Sequence, residues 1–135
     1  MDTVTAERRS EIMARVRAKD TRPEFVVRRL VHGMGYRYRL HRRDLPGTPD
    51  LVFPARGKVI FVHGCFWHAH AGCALARMPK SRQDFWSAKL QGNAERDSRN
   101  MRALRRLGWG VMVIWECQLK NLPRLRARIG RFLDA

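Results

Sequence analysis

Apolar residues along the chain follow two different periods, and each period marks a different kind of element. Ile12, Met13 and Val16 share one side of a helix predicted over about residues 6 to 18, with Thr5 as its cap. A second helix is predicted over Glu24 to Met34. Phe25, Val26, Leu30 and Val31 recur there at helical spacing, Thr21 and Pro23 supply an N-cap and an early proline, and Gly33 and Gly35 end it. Tyr36 to Leu40 then alternates apolar and basic residues, the period of a half-exposed strand. Pro46-Gly47-Thr48-Pro49 is a turn, Asp50 to Phe53 a short apolar strand, and Pro54 to Gly57 a reversal. Val59 to His63 is a continuous apolar run, as expected of a strand buried on both faces. Gly64 to Arg82 shows no period. A long helix is predicted from Ser81 or Gln83 to about Leu107-Gly108, a second buried strand over Trp109 to Trp115, and a basic helix over Asn121 to Leu133.

The predicted order is α, α, β, β, β, long α, β, α. It implies an α/β sandwich, a small mixed sheet flanked by helices. Repeats and low-complexity linkers are absent, so residues 1–135 read as a single domain, with residues 1–20 a basic N-terminal arm. At 135 residues and 44% hydrophobic content, the chain can build a core without disulfide staples.

Charge changes this picture more than size does. Lys plus Arg is 28 and Asp plus Glu is 12, giving a formal net charge of 28 − 12 = +16. Self-repulsion of that order destabilises a small fold unless a polyanion meets it. Of the cations 23 are Arg, whose planar fork suits phosphate, which favours nucleic acid over an anionic membrane. No window approaches the roughly 18 apolar residues of a membrane span, and the N-terminus lacks the apolar stretch of a signal peptide. The expected location is the cytoplasm. Three cysteines in a reducing compartment suit metal ligation or free thiols better than disulfides.

Three groups of residues carry candidate chemistry. Asp50 stands at the edge of one strand beside the buried strand Val59 to His63. A carboxylate there, with a backbone carbonyl on the next strand, would make a half-shell for a hard cation such as Mg2+; the alternative is that Asp50 caps its turn. Cys65, His70 and Cys73 share one loop, and Cys117 follows the last strand, a set suited to zinc; the alternative is buried thiols. Phe66, Trp67 and Trp86 lie among Arg77, Lys80, Arg82 and Lys89. Aromatics beside cations stack on or wedge between bases, or else one plugs the core.

The strings Gly47-Thr48-Pro49-Asp50, Phe61-Val62-His63-Gly64-Cys65-Phe66-Trp67-His68, Arg82-Gln83-Asp84-Phe85-Trp86, Asn93-Ala94-Glu95-Arg96-Asp97 and Trp115-Glu116-Cys117 occur in that order. Together they resemble the very short patch repair endonucleases. The resemblance implies a restriction-endonuclease-like fold and a Mg2+-dependent enzyme with a structural zinc. Such an enzyme nicks duplex DNA 5′ to the thymine of a T:G mismatch left by 5-methylcytosine deamination. It further implies Asp50 and the Val62 carbonyl as Mg2+ ligands, and His68 as the catalytic histidine. His63, Glu24 and Asp97 match further active-site positions. Cys65, His70, Cys73 and Cys117 match the zinc ligands, and Phe66, Trp67, Trp86, Lys89 and Asn93 match DNA contacts. Val62 stands where the family usually has Thr, which preserves a backbone ligand and removes a hydroxyl. The expected partner is T:G-mismatched double-stranded DNA near the nucleoid, met by a monomer, with mismatch-repair proteins as further partners. Rival readings are a restriction-type nuclease on the same fold and a zinc-stabilised DNA-binding module without catalysis.

Overall fold

The computed structural model describes residues 20–135, so the helix predicted over residues 6 to 18 and nearly all of the N-terminal arm lie outside the described residues. The elements are helix α1 (Arg22–Gly33), strands β1 (Arg39–Leu40), β2 (Leu51–Phe53) and β3 (Lys58–His63), helix α2 (Gln83–Arg106), strand β4 (Gly110–Trp115) and helix α3 (Leu122–Asp134). Short 3-10 turns occupy Pro54–Arg56, Ala74–Ala76 and Glu116–Lys120.

The strands form one sheet in the order β1-β2-β3-β4. β1 to β3 are antiparallel neighbours, whereas β3 and β4 run parallel because α2 carries the chain back across the sheet. Alternation along the central strands sorts the core into two layers. Ile60 and Val62 of β3, with Met112 and Ile114 of β4, pack against Val27 and Val31 of α1 and Leu125, Ile129 and Leu133 of α3. Val59 and Phe61, with Val52, pack on the other face against Leu104 of α2, with Val111 and Val113 alongside. The mixed sheet therefore lies between helices on both faces.

Several local expectations are met. Thr21 caps α1, its side chain accepting from the Glu24 amide at 3.4 Å, and Pro23 lies in the first turn. Asn121 caps α3 by accepting from the Arg124 amide at 3.2 Å. Gly35 takes φ +93°, past the end of α1, as glycine does without strain.

Two strands differ from expectation. The alternating stretch Tyr36 to Leu40 pairs only at Arg39–Leu40. Tyr36 is instead pulled inward, its hydroxyl donating to Asp134 at 2.8 Å at the end of α3, and the Tyr38 hydroxyl donates to the Arg28 carbonyl at 3.3 Å. Side-chain anchoring to two helices replaces a ladder at this edge. The strand expected to be buried throughout, Trp109 to Trp115, begins at Gly110 and buries fully only Met112 and Ile114. Its other face meets α2 only in part. The opening of α2 lacks a capping side chain, and Arg82 there takes the left-handed φ of +56°.

Candidate active site

The candidate residues converge where β3 ends and the chain leaves the sheet. Gly47 and Thr48 both take left-handed φ, +76° and +47°, and swing the chain into β2. A Cβ at Gly47 would lie 3.0 Å from the Asn100 Cβ, so only glycine lets this loop seat on α2. Asp50 emerges from the turn beside β3, and its Oδ2 accepts the Val62 N–H at 2.6 Å. The carboxylate thus bonds across strands, and does not cap its own turn. Burial pushes its pKa up to about 8, with the Glu24 carboxyl adding to the rise and the Val62 amide and Arg28 opposing it.

Glu24 reaches this point from the first turn of α1 and is buried. Its Oε2 gathers several donors: the Asp20 amide at 2.7 Å, Arg28 at 3.0 Å and His41 Nε2 at 3.3 Å. Arg28 also pairs with Asp20 at 2.7 Å. Buried Glu24 and half-buried Asp50 are thereby set side by side, a hard-oxygen donor set.

Across the cleft, His63 is 4% exposed at the end of β3. Burial is the main cause of its pKa falling to about 3, so its imidazole is neutral at working pH. It stacks on His68 with ring centroids 3.8 Å apart and planes 4° from parallel. His68 Nδ1 lies 2.5 Å from Asp97 Oδ2 on α2. A carboxylate accepts only, so Nδ1 carries the hydrogen and Nε2 is left as the basic nitrogen. Glu24, His41, Asp50, His63, His68 and Asp97 all line one cleft of about 700 Å3.

The loop after His63 folds on itself through His68 N–H to the Gly64 carbonyl and His70 N–H to the Cys65 carbonyl, at 3.2 and 2.9 Å. Glu116 holds it to the end of β4 by accepting the Cys65 amide at 3.3 Å. Cys65, His70, Cys73 and Cys117 meet there, with one ligand atom from each and all of them within 4.8 Å of one another. A tetrahedral zinc with arms of about 2.3 Å places its sulfurs ~3.8 Å apart. The three thiols are free, and the His70 ring stacks on Trp115 at 4.0 Å. Burial pushes the Cys65 thiol up to about 12, so without a cation it keeps its proton. The group can hold a metal ion.

Phe66, Trp67 and Trp86 form a triangle of edge contacts with centroids 5.1, 5.5 and 6.0 Å apart. Trp67 and Trp86 are buried against Leu90, and Phe66 is half-buried. Adjacent Phe66 and Trp67 do share one cluster, because the loop turns tightly rather than running extended. Asn93 is buried, and its amide donates to the Trp67 carbonyl at 3.0 Å. Lys89 is half-buried beside the exposed Phe85 ring, its Nζ 5.9 Å from the centroid.

Residues 1–74 match the family model described as DNA mismatch endonuclease Vsr. The chain belongs to the Vsr family. It is 55% identical over 133 residues to the type II nicking enzyme V.XorIIP of Xanthomonas oryzae pv. oryzae, spanning 98% of this chain and 97% of that enzyme. It is 40% identical over 132 residues to the type II nicking enzyme V.NmeAIP of Neisseria meningitidis serogroup A, spanning 98% and 94%. It is 41% identical over 117 residues to the DNA mismatch endonuclease Vsr of Escherichia coli, spanning 87% and 74%. A Vsr-family chain is a DNA endonuclease, and the acidic pair facing a histidine–aspartate pair is a suitable hydrolytic site.

Sequence reading did not single out His41, Arg28 or Glu116. Arg28 lies one helical turn after Glu24, a spacing that predicts an ion pair. Glu116 is adjacent to Cys117. His41 carries no comparable signal, since only the antiparallel pairing of β1 with β2 brings it to Asp50. Among the described residues, no helix is long and apolar enough to cross a membrane.

Proposed function

We propose that this chain nicks duplex DNA 5′ to the thymine of a T:G mismatch, by Mg2+-dependent phosphodiester hydrolysis, and so begins very short patch repair. The observation that carries the reading is the His68–Asp97 pair facing Glu24 and Asp50 across one cleft. Hydrolysis needs a group to take a proton from water and a charge to meet the phosphate, and the two walls supply these separately. His68 is the proton acceptor. Asp97 fixes its tautomer, and His63, neutral and stacked, holds its ring. Asp50 with the Val62 carbonyl would hold Mg2+, with Glu24 beside it. When bound, the cation supplies charge neutralisation at the phosphate and lowers the pKa of water. Cys65, His70, Cys73 and Cys117 would hold a structural zinc, joining the catalytic loop to β4.

The half-buried Phe66 leads the aromatic cluster into the DNA beside the mismatch, and buried Trp67 and Trp86 back it. A T:G wobble stacks less well than a Watson–Crick pair, so opening the step costs least there. The fold is read as restriction-endonuclease-like, in one domain over residues 1–135, with residues 1–20 adding basic contacts to phosphate. The protein acts as a cytoplasmic monomer at the nucleoid, with mismatch-repair proteins as further partners.

The test maps the nick on an end-labelled T:G duplex against a size ladder, with Mg2+ and with chelator. A Mg2+-dependent break 5′ to the mismatched thymine is expected. Equal cutting of the paired duplex would make the protein a restriction-type nuclease, and binding without cutting would make it a non-catalytic module.

A further inference from the structure

His41 stands at the junction of the Glu24 and Asp50 carboxyls, and it does so through both its backbone and its ring. Its N–H donates to the Asp50 carbonyl at 3.4 Å. Its Nε2 lies 3.3 Å from Glu24 Oε2 and 3.7 Å from Asp50 Oδ1, so one nitrogen sits between both acids. The side chain is 15% exposed. Arg28 also reaches this point, its Nη2 3.0 Å from Glu24 Oε2 and 3.5 Å from His41 Nε2, and Asp20 shares it. Among the described ion pairs, His41 alone spans Glu24 and Asp50.

His41 also takes φ +47°, a left-handed conformation that disfavours a residue with a Cβ. A glycine would hold this bend without strain. Keeping histidine there retains an imidazole where the backbone alone would favour its loss. Observed strain of this kind concentrates where a side chain has work to do.

Resting on the endonuclease reading above, we infer that His41 is a positioning residue. Its Nε2–H donates to Glu24 while lying beside Asp50, and so orients the Asp50 carboxylate toward the cation of the cleft. Residues that orient metal ligands act on affinity for the ion rather than on the bond-breaking step itself.

The test compares wild type, His41→Gly and His41→Gln. Mn2+ binding to the DNA-free protein is measured by electron paramagnetic resonance, alongside melting and the Mg2+ dependence of nicking. His41→Gly relieves the backbone and deletes the donor. It should melt no lower than wild type, yet bind Mn2+ and respond to Mg2+ roughly tenfold more weakly, the usual effect of losing such a partner. His41→Gln keeps two N–H groups at a similar reach and should restore most of both affinities. Wild-type Mn2+ affinity in His41→Gly, or a His41→Gln protein as weak as His41→Gly, would overturn the inference. If His41→Gly melts lower, His41→Leu decides it, because it keeps a side chain there and deletes the donor: a roughly tenfold loss of Mn2+ affinity in the folded variant supports the inference, and wild-type affinity overturns it. Asp50→Asn is the control for the underlying reading: Mn2+ binding that survives Asp50→Asn would move the cation elsewhere, whatever His41 does.

Discussion

Replacing Asp97 with Asn isolates the His68 tautomer with little change in shape. The carboxylate accepts from Nδ1 at 2.5 Å and offers no hydrogen of its own. An amide can turn either its oxygen or its NH2 toward the ring, and the NH2 would force the hydrogen onto Nε2, the nitrogen needed to receive a proton. A hydrogen bond to a charged group is worth about 1.5–3 kcal/mol. His68 and Asp97 keep 28% and 22% of their side-chain exposure. Partial solvation places the loss near the lower end, about 1.5–2 kcal/mol. At about 1.4 kcal/mol per decade, single-turnover nicking should slow roughly 10- to 30-fold. The assay is single-turnover cleavage of a labelled T:G duplex at saturating protein and Mg2+, with duplex affinity measured in chelator. Affinity should hold, because Asp97 lies on the wall that handles the proton. Nicking within twofold of wild type would refute the tautomer argument, and a parallel loss of affinity would show that Asp97 organises the cleft instead.

Other expectations follow from the same geometry. Elemental analysis should find about one zinc per chain, and chelation or Cys→Ser at Cys65, Cys73 or Cys117 should lower the thermal midpoint; unchanged melting without metal would leave the thiols as buried side chains. Trp67→Ala should destabilise by roughly 3–5 kcal/mol by emptying the cluster with Trp86 and Leu90, whereas Phe66→Ala should melt near wild type and lose preference for T:G over T:A. The reverse pattern, read by calorimetry and competition binding, would exchange their roles. Metal-free stability should fall as pH rises from about 6.5 to 8. Asp50, at about 8 instead of 3.8, holds a proton that the unfolded chain has released, so its contribution declines with pH across that whole range. Buried His63, at about 3 instead of 6.5, acts oppositely between those values, and the two offset each other below about 6.5. Denaturant titrations of Asp50→Asn should lose the decline above 6.5.

Much of the framework is legible because it follows local rules. The run Val59 to His63 has no polar break before His63, and every residue of it is buried. Thr21-Arg22-Pro23 starts a helix by cap and ring geometry alone. Cys65, His70 and Cys73 share a loop, and the parallel pairing of β3 with β4 sets His63 beside Trp115, which brings Cys117 to them. What was hidden depends on contacts distant in sequence. Tyr36 reads as a strand residue but is anchored 98 residues away at Asp134. Trp67 looks available to DNA by composition, yet the turn Gly64 to His70 folds it under Trp86. Asn93, matched to a DNA contact by resemblance, spends its amide on the Trp67 carbonyl. His41 sits in a charged loop where nothing in its neighbours distinguishes it from a solvated residue.

If one cleft both selects the mismatch and cuts beside it, cutting depends on Asp50. The most direct measurement sets wild type and Asp50→Ala on T:G and T:A duplexes in Mg2+, following nicking and binding in the same samples. Wild type should nick the T:G duplex alone. Asp50→Ala should nick neither duplex while still binding T:G DNA, because the basic side chains that meet phosphate are unchanged. Nicking by Asp50→Ala near the wild-type rate, or equal nicking of both duplexes by wild type, would contradict it.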